Sequence, residues 1–211
     1  MPASMRLLFE RDGIFVVDKP AGLPSTGRDL DDPDCAQYML ARELGRRVWA
    51  VHQLDRATSG VLLFTSRKTR VAELQRALTR GRKVYLALVD GVVVADRRCI
   101  DAPMRYVRGR GRPAVVPDGK EARTQVIVRE RGEWASLVEV CPRTGRTHQI
   151  RVHLAHIGHP IVGDALHGHG ADARMGLHCW RIGLDGQRFE APLPADFRAL
   201  CQSRGLTLKR L

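Results

Sequence analysis

Val48-Trp49-Ala50-Val51, His52-Gln53-Leu54-Asp55-Arg56-Ala57-Thr58-Ser59-Gly60 and Val61-Leu62-Leu63-Phe64 form one continuous stretch on which the fold reading turns. Each flanking apolar run is too short for a buried helix and carries β-branched or aromatic residues, so both read as buried strands. The polar residues between them are then pinned at both ends by rigid structure, a usual position for side chains that bind or react. Upstream, Gly13 to Asp18 is a further apolar run halted by Lys19-Pro20-Ala21-Gly22, which reads as a strand ending in a turn. Asp34 to Leu44 places Tyr38, Leu40, Ala41 and Leu44 at helical spacing before Gly45.

Downstream, Val71, Leu74 and Leu78 follow helical spacing to a stop at Gly81, with Ser66 as a candidate cap. Strands are expected at Val84 to Val89, Arg123 to Val128 and Trp134 to Val140. Thr147 to His156 reads as a helix with Ile150 and Leu154 on one face, and a last short helix is expected from Ala195 to Cys201. Strands and helices do not alternate strictly, so the expectation is an α+β fold: a mixed, mainly antiparallel sheet with flanking helices. No repeat and no linker rich in Pro, Gly and Ser interrupts the chain, so residues 1–211 are expected to form a single domain.

The composition narrows the function classes. With 44% hydrophobic residues the chain can fill a core, which excludes a disordered protein. The formal charge is +12, and 30 of the 35 basic residues are Arg, whose planar fork suits phosphate and base edges. Nucleic acid is therefore the first partner to test, against an ordinary enzyme surface dressed in Arg. The basic density peaks from Arg97 to Arg123, where eight Lys or Arg face Asp101, Asp118 and Glu121; this reads as a wall for phosphate or as a solvated loop. Five cysteines without a C-x-x-C pair suggest neither a disulfide framework nor a zinc ribbon. No apolar run approaches the ~20 residues of a membrane helix, and the N-terminus lacks a signal-peptide core, so a cytoplasmic protein without membrane contact is expected.

Two clusters can carry chemistry. His52 to Gly60 gathers a carboxylate, an imidazole, a cation and two hydroxyls, although Asp55 and Thr58 also suit a plain turn. Thr144-Gly145-Arg146-Thr147-His148-Gln149-Ile150-Arg151-Val152-His153 puts cations at a helix start, where they oppose the macrodipole and favour an anionic partner. Seven of the eight histidines lie between His148 and His178, which invites a metal-dependent phosphodiesterase reading. No H-E-x-x-H motif accompanies them, and the expectation is no metal. The phosphate-loop motif G-x-x-x-x-G-K-[ST], the G-x-G-x-x-G motif and the G-x-S-x-G nucleophile turn are all absent from the sequence.

Taken in order, these segments resemble the RluA-type pseudouridine synthases. The resemblance rests on Val16-Val17-Asp18-Lys19-Pro20-Ala21-Gly22-Leu23, Leu54-Asp55-Arg56-Ala57-Thr58-Ser59-Gly60, Lys83-Val84-Tyr85-Leu86-Ala87, the Thr144 to His153 segment and Gly158-His159-Pro160-Ile161-Val162-Gly163-Asp164. It implies isomerisation of a flipped-out uridine to pseudouridine in ribosomal or transfer RNA, without cofactor or metal. Asp55 would be the essential carboxylate, Tyr85 would stack on the uracil and handle a late proton, and Arg151 would pair with Asp55. Leu177 resembles an apolar residue of the uracil pocket, and Lys19, Gln53, Arg56, Thr58, Arg146 and His148 would contact the RNA together with Arg108 and Arg110 of the basic segment. Gln53 stands where the family commonly has Arg, which changes how the opened RNA would be held. The early entry strand implies a small, minimal catalytic domain without the family's S4-type RNA-binding domain, acting as a monomer on an RNA stem-loop with no protein partner. The competing reading is a non-catalytic RNA-binding or ribosome-assembly factor that keeps the fold.

Overall fold

The computed structural model describes residues 5–29, 31–170 and 172–208. Along the chain come β1 (Arg6–Arg11), β2 (Ile14–Lys19), α1 (Ala36–Glu43), β3 (Trp49–Ala50), β4 (Ser59–Thr65), α2 (Val71–Arg80) and β5 (Lys83–Asp90). They are followed by β6 (Arg97–Asp101), β7 (Met104–Val107), β8 (Arg112–Val115), β9 (Arg123–Arg131), β10 (Ala135–Pro142), α3 (Gln149–His156), β11 (Leu177–Leu184), β12 (Gln187–Glu190) and α4 (Ala195–Gln202). The architecture is α+β with mostly antiparallel strand pairs. No described helix is long and apolar enough to cross a membrane. The chain divides into two compact units, Met1–Lys83 with His178–Leu193 and Val84–Leu177 with Pro194–Leu211.

In the first unit, β2 and β4 pair antiparallel from Ile14 opposite Thr65 to Lys19 opposite Gly60. All seven residues of β4 are buried, so the apolar run Val61 to Phe64 is central core and Val16 and Val17 pack with it. β1 and β3 join the antiparallel pairing, and β11 runs parallel to β4 with His178 opposite Ser59 and Cys179 opposite Gly60. A buried polar contact secures that junction: Ser59 Oγ lies 2.8 Å from His178 Nδ1, and His178 Nε2 faces the Ala191 carbonyl at 3.4 Å. Because a carbonyl only accepts, Nε2 carries the proton and Nδ1 accepts from the serine hydroxyl. Gly60 is required at this crossing. Its φ is +112°, and a Cβ there would run into the backbone carbonyl of Cys179.

In the second unit, β10 lies between β5 and β9, and β6 pairs with the other edge of β9, all antiparallel. Leu88 of β5 bonds outward to Gly176 and Val162. A separate hairpin, β7 with β8, has Arg108–Arg110 as a 3₁₀ turn at its tip, closed by Gly111 in the left-handed region. Helix α3 packs on this hairpin through Val152, which shares a small core with Met104, Ala122 and Val115. The segment read as a wall or a loop is thus ordered strand and hairpin.

Several expected boundaries move. The expected helix from Thr147 begins at Gln149, because His148 adopts a left-handed φ of 55°. Ser66 does not cap α2; its N–H bonds Gly13 at the β1–β2 turn, and the helix starts after a 3₁₀ turn at Lys68–Arg70 without a side-chain cap. Strands β1, β6, β7, β8, β11 and β12 escape the sequence reading. Several of them are short, and Arg on exposed positions of β6 and β7 masks the apolar alternation that marks a strand.

Gly60→Ala should cost about 3 kcal/mol or more, since it combines left-handed strain with a backbone clash, and urea unfolding monitored by circular dichroism measures it. A variant as stable as wild type would remove the close β4–β11 approach from the fold.

Candidate functional site

The polar stretch after β3 lies against the loop that leaves β2, and their backbones are tied together. Gly22 N–H bonds the Arg56 carbonyl at 2.8 Å, and Arg56 Nε returns a bond to the Gly22 carbonyl at 2.9 Å. Ser25 Oγ donates to the Leu54 carbonyl and accepts from the Leu54 N–H, at 2.8 and 2.9 Å. Gln53 Nε2 donates to Thr26 Oγ1 at 3.1 Å. Inside the turn, Thr58 N–H bonds the Asp55 carbonyl at 2.9 Å. Asp55 is half-buried, with buried Leu54 preceding it and exposed Arg56 following it.

Lys19 closes this arrangement from within. It is fully buried, and its ammonium donates to the carbonyls of Pro20, Leu23 and Arg56 at 2.9, 2.6 and 3.3 Å. An ammonium has three N–H donors, and three backbone carbonyls receive them. Lys19 therefore holds the Asp55 loop. Thr58 is likewise buried, 1% exposed, and its Oγ1 meets no hydrogen-bond partner among the described residues. The start of the stretch is anchored by Leu63 N–H donating to His52 Nε2 at 3.3 Å. Desolvation, helped by the charge of Lys83, pushes the His52 pKa down to about 3, so the ring stays a neutral acceptor.

In the second unit a chain of side-chain hydrogen bonds fixes the head of α3. Gln149 Oε1 accepts from Thr144 Oγ1 at 2.8 Å and from the Arg146 N–H at 3.0 Å. Its Nε2 donates to the Arg123 carbonyl and to Thr124 Oγ1, at 2.9 and 3.0 Å. The Thr124 hydroxyl, occupied as an acceptor, donates to His153 Nδ1 at 2.8 Å, and His153 Nε2–H donates to the Ala102 carbonyl at 3.0 Å. Every donor finds an acceptor in one consistent direction only if His153 is neutral. Burial lowers its pKa in agreement with that state.

This frame orients Arg151, which forms a bidentate pair with Asp164 through Nε at 2.7 Å and Nη2 at 2.8 Å. Burial works against the Asp164 carboxylate, but Arg151 and the amides of His167 and Leu166 outweigh it and hold the pKa below the usual range. Asp164 was legible only as the end of a motif; its partner is 13 residues away and is found by folding. Gln149 lies in the singled-out Thr144 to His153 segment, whereas Thr124 and Ser25 carry no sequence signal of their importance, since each acts through groups distant in the chain.

The remaining expected residues fall as follows. Tyr85 is a buried residue of β5, opposite Val140, and buried Leu177 opens β11. Arg146 is exposed, with its Nε on the Glu121 carbonyl, and His148 precedes α3. Arg108 and Arg110 are exposed at the hairpin tip. Lys19, Gln53, Asp55, Arg56 and Thr58 thus belong together in the first unit, and Tyr85, Arg146, His148 and Arg151 belong to the second. Among the described residues no cluster of three His, Cys, Asp or Glu has metal-site geometry. His52, His153, His159 and His178 instead bond named protein groups.

Comparison with known proteins gives concordant matches. A model of the RNA pseudouridylate synthase family matches residues 13–156. The chain is 38% identical to ribosomal large subunit pseudouridine synthase D of Nitrosomonas europaea, over 94% of this chain and 65% of that protein. It is 42% identical to an uncharacterized RNA pseudouridine synthase of Chloroflexus aurantiacus, over 86% of this chain and 63% of that one. The chain therefore spans just under two thirds of the length of these relatives. Among solved structures, human RNA pseudouridylate synthase domain containing 1 superposes with a TM-score of 0.77 at 28% identity, covering 92% of this chain and 84% of that chain.

Two outcomes follow from the geometry. Lys19→Met should destabilise the protein by about 3 kcal/mol, because three buried carbonyls lose their donor; an unchanged denaturant midpoint would deny it the holding role. His153 has a folded pKa below its ordinary value near 6.5, so the unfolded chain binds the extra proton first. Its contribution to stability is complete above that value and is lost as the pH falls below it. Urea midpoints measured between pH 7.5 and 5 should therefore decline more steeply for wild type than for His153→Gln, and parallel declines would contradict a neutral His153.

Proposed function

Since the chain belongs to the RNA pseudouridylate synthase family, we propose that it isomerises a specific flipped-out uridine to pseudouridine in structured ribosomal or transfer RNA, with Asp55 as the essential carboxylate. The observation that carries this reading is the Asp55 loop itself. A half-buried carboxylate is held between two loops by backbone ties and a buried lysine, which is preparation for chemistry that binding alone does not need.

The reaction breaks the C1′–N1 bond, rotates the uracil and forms C1′–C5, after which the C5 proton is lost and N1 gains one. Atoms and electrons balance within the substrate, so the residues need only hold the base, stabilise the intermediate and move protons. Asp55 supplies the carboxylate, by attack on base or sugar or by removal of a sugar proton. Arg151, whose guanidinium plane is set by Asp164, is assigned as the third catalytic residue. Tyr85 offers a ring to stack on uracil and a hydroxyl for the late proton, and Leu177 adds apolar wall to the base pocket.

A uridine inside a helix cannot be reached, so the base must be extruded and the distorted backbone held. Gln53, Arg56, Arg146 and His148 are assigned to that contact, with Arg108 and Arg110 reaching the RNA from the hairpin tip. Gln53, tied to Thr26, offers an amide to bases orphaned by flipping. All 211 residues serve as one catalytic domain, acting as a cytoplasmic monomer without a protein partner.

Cells lacking the protein, complemented with wild type or Asp55→Ala, test this by carbodiimide mapping of ribosomal and transfer RNA. A pseudouridine that vanishes and returns only with wild type is expected, with purified Asp55→Ala slowed about a thousandfold or more while still binding RNA. Pseudouridine made by Asp55→Ala would overturn the assignment, and RNA binding with an unchanged map would favour a non-catalytic assembly factor.

A further inference from the structure

The β7–β8 hairpin carries an aromatic ring that the proposed reaction does not use. Tyr106 of β7 is 57% exposed, and its hydroxyl has no hydrogen-bond partner among the described residues. Strand register sets it opposite Pro113, on the same face as the pair Met104 and Val115. That face packs against Val152 of α3, and Met104 is buried there. Tyr106, two residues nearer the tip, stands beyond the part of the face that the helix covers. Its backbone is tied down by Arg105, whose Nε donates to both carboxylate oxygens of Asp118 at 3.2 and 3.1 Å while Nη1 donates to the Tyr106 carbonyl at 3.4 Å. The ring is thus held out into solvent on an ordered base.

The charge around the ring has one sign. Residues 105–112 contain Arg105, Arg108, Arg110 and Arg112 and no acid. Asp118 answers Arg105. The side chains of Arg108 and Arg110, exposed on the turn that Gly111 closes, have neither an ion-pair nor a hydrogen-bond partner among the described residues. A flat apolar face beside unanswered guanidinium groups is complementary to a ligand that joins a flat ring to an anion. An unpaired nucleotide is such a ligand, since its base stacks while its phosphates meet the cations. From these observations we infer that Tyr106 is a stacking platform for one unpaired base of the RNA, with Arg108 and Arg110 on the flanking phosphates. The inference rests on RNA being the partner, as proposed above, and adds a base contact to the phosphate contacts of the hairpin tip.

The platform selects for RNA structure. In a duplex the bases stack on one another and offer a side chain no free face, so Tyr106 favours a loop, bulge or end over a stem. A tyrosine opposite a proline also stabilises a hairpin by cross-strand packing, and substitution separates the two roles. Leucine keeps an apolar side chain at the position opposite Pro113 but has no π-face, whereas tryptophan enlarges the π-face. Stacking of one base on an aromatic side chain changes affinity by about fivefold to about a hundredfold.

The test uses two probes of equal length and charge, an oligo(A) and an abasic ribose–phosphate oligomer. Neither contains uridine, so the outcome is separate from whether the chain makes pseudouridine, and wild type that bound neither probe would fail the RNA reading itself. Affinity is measured across a range of salt for wild type, Tyr106→Leu, Tyr106→Trp, Arg108→Gln and Arg110→Gln, with thermal unfolding as the check on folding. Tyr106→Leu should lose about fivefold or more on oligo(A) and nothing on the abasic probe, with the salt slope of wild type, and Tyr106→Trp should bind oligo(A) at least as tightly as wild type. Each arginine variant should weaken both probes alike and lower the salt slope by about one phosphate contact. Wild-type affinity of Tyr106→Leu for oligo(A) would overturn the platform. Equal losses on the two probes would overturn it as well, leaving Tyr106 as a stabiliser of the hairpin.

Discussion

The buried ammonium of Lys19 is the constraint on which the Asp55 loop depends. It gathers carbonyls from Pro20, Leu23 and Arg56, two of them beside it in sequence and one 37 residues away. Without the charge these carbonyl dipoles would point at one another in a space closed to water, so both loops would have to open. The β2–β4 register makes the arrangement possible by setting Lys19 opposite Gly60 at the point where both chains leave the sheet. Gly60 in turn lets β11 approach β4 closely, and Ser59 with His178 closes the junction. Sheet register, a glycine and one buried cation thereby deliver a carboxylate to a set position.

The second unit solves a similar problem with neutral groups. Gln149 uses both ends of its amide, Thr124 relays the direction, and His153 ends the chain on the Ala102 carbonyl. Such a network is stiff because each member has its partners, and reversing one would leave a buried group unmatched. Arg151 leaves this frame with two of its N–H groups on Asp164, which sets the plane of its guanidinium. The reactive residues proposed here are thus supported by groups that need never touch the substrate.

Charge is distributed with a similar division of labour. Many arginines answer acids across the surface, as Arg105 does Asp118, Arg131 does Asp96 and Arg204 does Asp172. Exposed pairs of this kind contribute little to stability but cancel the local field. At the Arg108–Arg110 turn two exposed guanidinium groups stand without an ion-pair partner among the described residues. A polyanion would meet a patterned surface, and the ordered β7–β8 hairpin shows that the basic segment is part of that pattern.

The sequence by itself determined the α+β class, the buried strands β2, β4, β5 and β10, the helices around Ala36, Val71, Gln149 and Ala195, and the two clusters that hold Asp55 and Arg151. Burial period and turn residues are local properties, and they are written in consecutive positions such as Val61 to Phe64 and Lys19 to Gly22. It left the short Arg-rich strands unread, because exposed cations hide their alternation. Only the tertiary structure decided that Lys19 and Thr58 face inward, that Arg151 grips Asp164, and that His148 meets His167. Those outcomes depend on which groups strand register and helix packing bring within hydrogen-bond reach, and partners separated by 13 to 37 residues have no mark in local sequence.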